Sequence, residues 1–152
     1  MPIAGKGVYL LYLSLPVLKA VSVGRLGTRQ FPAGHYLYAG SALGPGGLAA
    51  RLGRHARQEK KMHWHIDYLR PFAKIERVWL QITGERAECQ WAMAARRMPY
   101  ARVLVPRFGS SDYRCPAHLT YYPEQPQLGD FAAAAGIPFS QIQVLECDEN
   151  GI

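Results

Sequence analysis

Cysteine is scarce. The chain holds three, Cys89, Cys115 and Cys147, far apart and with no C-x-x-C pair. That spacing excludes a disulfide framework and a zinc ribbon, and a reducing cytoplasm is the expected setting. Acidic residues are few as well: 11 Asp and Glu stand against 18 Lys and Arg, for a formal net charge of +7. A basic domain of this size either meets a polyanion, most simply a nucleic-acid backbone, or carries a solvated basic surface. Long hydrophobic runs are missing. The N-terminal apolar stretch is broken by Ser14 and Pro16, is too short to cross a bilayer, and lacks the charged lead and cleavage site of a signal peptide. No membrane partner is expected. There is no internal repeat and no low-complexity segment.

What remains is globular: 49% of residues are hydrophobic and 19% charged. One domain is expected over 1–142, followed by an acidic, loosely held tail over 143–152. Residues 7–15 read as a buried strand ending before Pro16, and 19–26 with 28–34 as a hairpin turning near Gly27. Residues 35–40 form another strand, 47–61 a helix with Leu48 and Leu52 one turn apart, and 63–73 a short helix stopped by Pro71. Residues 74–83 alternate as a strand, with Ile75, Arg77, Trp79 and Gln81 on one side and Glu76, Val78, Leu80 and Ile82 on the other. A helix follows over 84–98 with Thr83 as its cap. A strand is expected at 117–122 and a last short helix at 131–136. The pattern is α+β with α/β character: a small mixed or antiparallel sheet flanked by helices.

The chemistry concentrates in a few places. Gly40, Gly44, Gly46 and Gly47 form a turn that opens onto a helix, an arrangement that admits a phosphate. The spacing is not G-x-x-x-x-G-K-[ST], which argues against a nucleotide-binding P-loop. Behind the turn, Arg51, Arg54 and Gln58 make a stripe, joined by His55, Arg57, Lys60 and Lys61; arginine suits bidentate phosphate contacts. Arg51 borders Leu48 and Leu52 and so lies against the sheet. Glu88 shares a helical face with Trp91, Ala92 and Ala95. A carboxylate on that face is either paired or metal-bound, or else is an ordinary first-turn Glu. His63, His65 and Asp67 either line the site, at spacing that could ligate a metal, or cap neighbouring elements. Ser111, Asp112, Cys115 and His118 form a polar loop segment in which a Cys–His pair is conceivable. Tyr113, Tyr121 and Tyr122 read as core or rim.

The tripeptides at Gly7–Tyr9 and Tyr38–Gly40, followed by an Arg on one helix and a Glu on a later one, resemble the GIY-YIG nuclease superfamily. More closely, the stretches GVYLLYL, FPAGHYLYAGSALGPGGLAARL, HWHIDYL, AECQWA and FGSSDYRCPAHL are similar to a small uncharacterised branch, sometimes fused to endonuclease-III-like proteins. The resemblance implies metal-dependent phosphodiester hydrolysis of nucleic acid, DNA ahead of RNA, in repair or processing, with a repair protein as a further partner. It implies Tyr9, Tyr38, Arg51 and Glu88 as catalytic residues. Tyr9 would orient the attacking water, Tyr38 would support it, Arg51 would hold the phosphate, and Glu88 would bind one Mg²⁺ or Mn²⁺. Gly40, Ser41, Arg54, His55, Arg57, His63 and His65 are then the expected nucleic-acid contacts. The alternatives are a non-catalytic nucleic-acid-binding module of the same fold and a protein-interaction module of a repair complex.

Overall fold

A computed structural model describes residues 4–57, 60–110 and 115–148. Its centre is a five-stranded antiparallel sheet in the order β6-β4-β1-β5-β7. The strands are β1 (Gly7–Leu15), β4 (Gly34–Ala42), β5 (Lys74–Ile82), β6 (Leu119–Tyr122) and β7 (Gln143–Glu146). β2 (Lys19–Ser22) and β3 (Thr28–Phe31) form a separate hairpin. The helices are α1 (Gly47–Ala56), α2 (His65–Leu69), α3 (Glu88–Arg96) and α4 (Leu128–Ala135). The α+β expectation therefore stands, with the sheet antiparallel throughout its pairings. Among the described residues no helix is long and apolar enough to cross a membrane.

β1 is apolar at nearly every position because both of its faces are covered. Tyr9, Leu11, Leu13 and Leu15 pack with Leu48 and Leu52 of α1, Ile66 and Leu69 of α2, and Val21 and Phe31 of the hairpin. Val8, Leu10 and Tyr12 face the other way, against Trp91, Ala92 and Ala95 of α3 and Phe131 of α4. The Trp91 and Phe131 rings meet edge to face at 4.9 Å between centroids. The sheet is thus the middle of three layers, with a core on each side.

Three expectations need correction. Residues 143–146 are not a loose tail; they pair with β5 as an edge strand, Val78 opposite Leu145 and Trp79 opposite Val144. β5 does not alternate from end to end: Tyr12 pairs with Arg77 but Leu13 with Ile75, so Glu76 is an extra residue in a bulge. Ile75 therefore joins the core of Val78 and Leu80 rather than the face of Trp79. Thr83 does not cap α3, which begins at Glu88. Its hydroxyl instead accepts the Glu85 backbone N–H at 3.1 Å, making a local turn.

α1 ends at Ala56 although helical spacing continues beyond it. Its last carbonyls are taken by cations from elsewhere. Arg70 Nε donates to the His55 carbonyl at 2.9 Å, and Lys60 Nζ to the Arg54 and His55 carbonyls at 3.0 and 3.1 Å. These bonds satisfy orphan carbonyls and oppose the negative end of the helix dipole. Arg70 is buried for this purpose and also donates to the Ala73 carbonyl at 2.8 Å, which fixes α2 to α1.

Candidate functional site

The start of β1 and the end of β4 lie side by side, with Tyr9 opposite Gly40. Gly40 has no alternative there, because a Cβ would fall 2.4 Å from Tyr9 Oη. Gly7 is constrained in the same way: its Cβ would fall 2.3 Å from the Gln81 carbonyl oxygen. At this end of the sheet opens a cavity of about 250 Å³. β1 and β4 contribute Tyr9, Tyr38, Gly40 and Ser41; α1 contributes Arg51 and His55; the α3 approach contributes Arg86 and Glu88. Trp64, Gly109 and His118 complete the wall.

Tyr9 and His55 form its floor. Tyr9 Oη lies 2.7 Å from His55 Nε2, and both residues are about 1% exposed. Burial pushes both tyrosine phenols well above the usual range, so Tyr9 and Tyr38 stay protonated. The same burial, aided by Lys60, lowers His55 to about 3 and keeps its ring neutral. His55 Nδ1 is buried without a partner. A bare lone pair there costs less than an orphaned N–H, which favours the tautomer with its proton on Nε2. Nε2–H then donates to Tyr9 Oη, and the Tyr9 hydroxyl proton is left for the cavity. The Arg51 charge opposes the rise of the Tyr9 phenol, and Arg51 packs on Trp64, its Cζ 4.5 Å from the ring centroid.

Glu88 sits opposite, at the first residue of α3. Its side chain is 18% exposed and accepts a short hydrogen bond from the Ser41 hydroxyl on one oxygen. Arg86 Nη1 reaches the other at 3.3 Å. Burial pulls the carboxyl pKa up, but the Ser41 hydroxyl, the helix N–H and Arg86 outweigh it and leave the pKa below the ordinary value. The carboxylate is therefore ionised. His118 is lowered by burial, which the nearby Glu88 charge opposes, and it stays neutral at pH 7.

Among the described residues no three His, Cys, Asp or Glu side chains gather to hold a metal by themselves. An ionised carboxylate beside a hydroxyl still fits a hard cation such as Mg²⁺. That ion binds through one or two carboxylates and completes its shell with water and substrate phosphate. Glu88 with Ser41 suits it in that shared sense.

Tyr9, Tyr38, Gly40, Ser41, Arg51, His55 and Glu88 thus come together in one cavity. The remaining expected contacts are engaged or placed elsewhere. Arg54 grips the buried Asp67 with both ends of its guanidinium, at 3.0 and 2.9 Å. Asp67 also accepts the His63 and Trp64 backbone N–H groups, each at 2.9 Å. It is a cap and ion-pair partner rather than a metal ligand. Burial raises the Asp67 pKa, yet Arg54 and these N–H groups bring it down to about 2. Arg57 is exposed at the C-cap of α1, outside this cavity, and His63 is exposed with its ring against Trp64. His65 Nδ1 accepts the Gly109 N–H at 2.7 Å, so it fixes a wall of the cavity. His55 is a buried partner of Tyr9, not a surface donor; burial leaves it out of direct reach of a nucleic acid.

Cys115 and His118 do not act as a pair. Cys115 packs in the α3-side core with its thiol 3.9 Å from the Cys89 carbonyl, while His118 lines the cavity. Tyr121 and Tyr122 are buried, as expected. Gln58, Ser111, Asp112 and Tyr113 lie outside the described residues. Sequence reasoning did not find Arg86, and it gave Trp64, Gly109 and His118 no specific part in the site. Trp64 had a signal, since an aromatic between two histidines follows an arginine stripe; Arg86 had none.

Fold and site together define a small antiparallel-sheet protein with a polar, arginine-bearing cavity at one sheet end, built around a buried tyrosine–histidine pair and one carboxylate. The family is that of DUF123, a domain of unknown function, whose model matches residues 8–137; the chain belongs to it. No curated protein and no solved structure matches. The family match corrects the GIY-YIG assignment, since DUF123 is a distinct family. The physical reason is local. The glycines and tyrosines of both tripeptides answer to cross-strand packing, Tyr9 lying over Gly40 and Gly7 against the Gln81 carbonyl. The tripeptides that pointed to the superfamily are thus also what the packing of this sheet requires.

Proposed function

We propose that this cavity hydrolyses a phosphodiester of a nucleic acid, DNA ahead of RNA, with one divalent ion, Mg²⁺ or Mn²⁺. The observation that carries the reading is the meeting of Tyr9, Arg51 and Glu88 in one cavity of about 250 Å³. Arg51 binds the phosphate through its planar guanidinium, held in place by Trp64. The Tyr9 hydroxyl, positioned by His55, orients a water for attack on phosphorus, and Tyr38 excludes bulk solvent behind it. A new P–O bond forms to that water while the bond to the leaving oxygen breaks. The water gives a proton to solvent and the leaving oxygen takes one from it, so the products are a phosphomonoester and a hydroxyl. Glu88 and Ser41 would hold the ion, which supplies charge neutralisation at the leaving oxygen. Three widely spaced cysteines suit a cytoplasmic setting.

The test is Glu88→Gln, which keeps size and removes charge. Cleavage of an oligonucleotide in Mg²⁺ is expected to fall by orders of magnitude while binding holds or tightens. A variant that cuts as fast as the parent removes Glu88 from the reaction.

A further inference from the structure

Beside the cleft lies a second cavity, of about 200 Å³. One wall is the turn at Gly44 and Pro45. The other is the outer face of α1, where Arg51 and Arg54 project, with Arg57 at the helix cap. Arg51 lines both cavities. No acidic side chain among the described residues lines the second one. Among the described residues the carboxylate that pairs with this cationic group is Asp67, and it is shared between Arg54 and Lys60, at 2.9 and 3.7 Å. Arg54 is thus balanced by Asp67, while among the described residues Arg51 and Arg57 make no ion pair and present their charge to the cavity. Small residues, Ala42 and Ala50, keep the space between the arginines open. The guanidiniums of Arg51 and Arg54 are both packed on Trp64, at 4.5 and 4.2 Å from its centroid, so little side-chain freedom remains to be lost on binding.

Helix geometry sets the scale. Arg51 to Arg57 covers about 9 Å along the axis. A strand carries one phosphate per roughly 3.4 Å of duplex axis. The row from Arg51 to Arg57 is therefore long enough to meet more than one phosphate of a strand.

We infer that the second cavity holds the phosphodiester next to the one in the cleft. The substrate is then a polynucleotide strand that runs along α1 across Arg51, and an isolated small diester is a poor one. The chemistry of the occupant rests on the hydrolytic reading above. The affinity of the cavity for phosphate anions does not.

The experiment uses the full chain, without metal, and inorganic pyrophosphate as the probe in calorimetry. Arg57→Gln removes a donor at the cavity's open end. Ala50→Glu places a carboxylate inside it, as a tethered competitor for the anion. The parent is expected to bind pyrophosphate, Arg57→Gln to bind about tenfold more weakly, and Ala50→Glu not at all. The ratio of oligonucleotide cleavage to bis(p-nitrophenyl) phosphate cleavage is expected to fall in Arg57→Gln. The slope of log affinity against log salt for the oligonucleotide falls by about one. If Ala50→Glu fails to fold, as read by its melting curve, Arg57→Gln alone decides. A parent that ignores pyrophosphate, or variants that bind it equally, overturns the inference. A parent that never cleaves, yet binds pyrophosphate and loses it in these variants, overturns the hydrolytic reading and leaves the anion cavity standing.

Discussion

His55 is held as a neutral ring in the fold, and that fixes how stability responds to acid. The unfolded chain protonates it near its ordinary 6.5, the native state near 3. Between those values the unfolded state binds the extra proton, so stability falls as pH drops from about 6.5 to about 3. From pH 7 to pH 5 this one group costs about 2 kcal/mol. His35, His65 and His118 are lowered too and add to the slope. Urea titrations at the two pH values measure it, and His55→Asn is expected to flatten the dependence. A parent with equal stability at both values would show that His55 is solvated. The sequence did carry a sign of its burial. His55 stands seven residues after Leu48 and three after Leu52, which is the core face of α1. Its neighbours Arg54 and Arg57 drew the reading toward the surface instead.

At the scale of elements, α1 and α2 are joined by charge as much as by apolar contact. Asp67, fully buried, receives Arg54, Lys60 and two backbone N–H groups. Asp67→Asn leaves two cations without their counter-charge and is expected to cost about 2–4 kcal/mol. Arg54→Ala is then a stability variant and not merely a binding variant. A double-mutant cycle on Arg54 and Asp67, read by thermal unfolding, should show strong coupling; additive effects would remove the pair from the account. The depressed Asp67 carboxyl adds stability that is complete above its ordinary 3.8 and is lost as pH falls toward about 2. Much of this level was legible in the sequence. β1 was read with its observed bounds, and α1, α2 and β5 with their correct starts or centres, because apolar spacing and proline mark them. The Glu76 bulge was not legible, since it is a matter of register with β1. Nor was the start of α3, where Thr83 offered a cap that the chain used for a turn. The 143–146 strand, Gln-Val-Leu-Glu, was hidden because it is short, largely exposed and runs into an acidic tail.

For the whole molecule, the charge balance of +7 would govern encounter with the nucleic acid proposed above. Affinity for an oligonucleotide is expected to drop steeply as salt is raised, because each neutralised phosphate releases counterions. Fluorescence anisotropy across a salt titration measures the slope; a flat titration would favour a partner without a phosphate backbone. The cluster of Tyr9, Tyr38, Arg51 and Glu88 was anticipated residue by residue. Its depth was not, because burial belongs to the assembled sheet and not to any single segment.

The central sheet has a separate core on each face, and the cavity draws on both. Tyr9, Arg51 and His55 belong to the α1 side, while Glu88 begins the helix on the other. A chain with only the α1 layer docked already displays its arginines, but it has no carboxylate opposite them. Such a half-built molecule, nascent or damaged, is a sticky basic protein without a complete site. The architecture therefore couples the two layers: the proposed site is complete only when both are docked on the sheet.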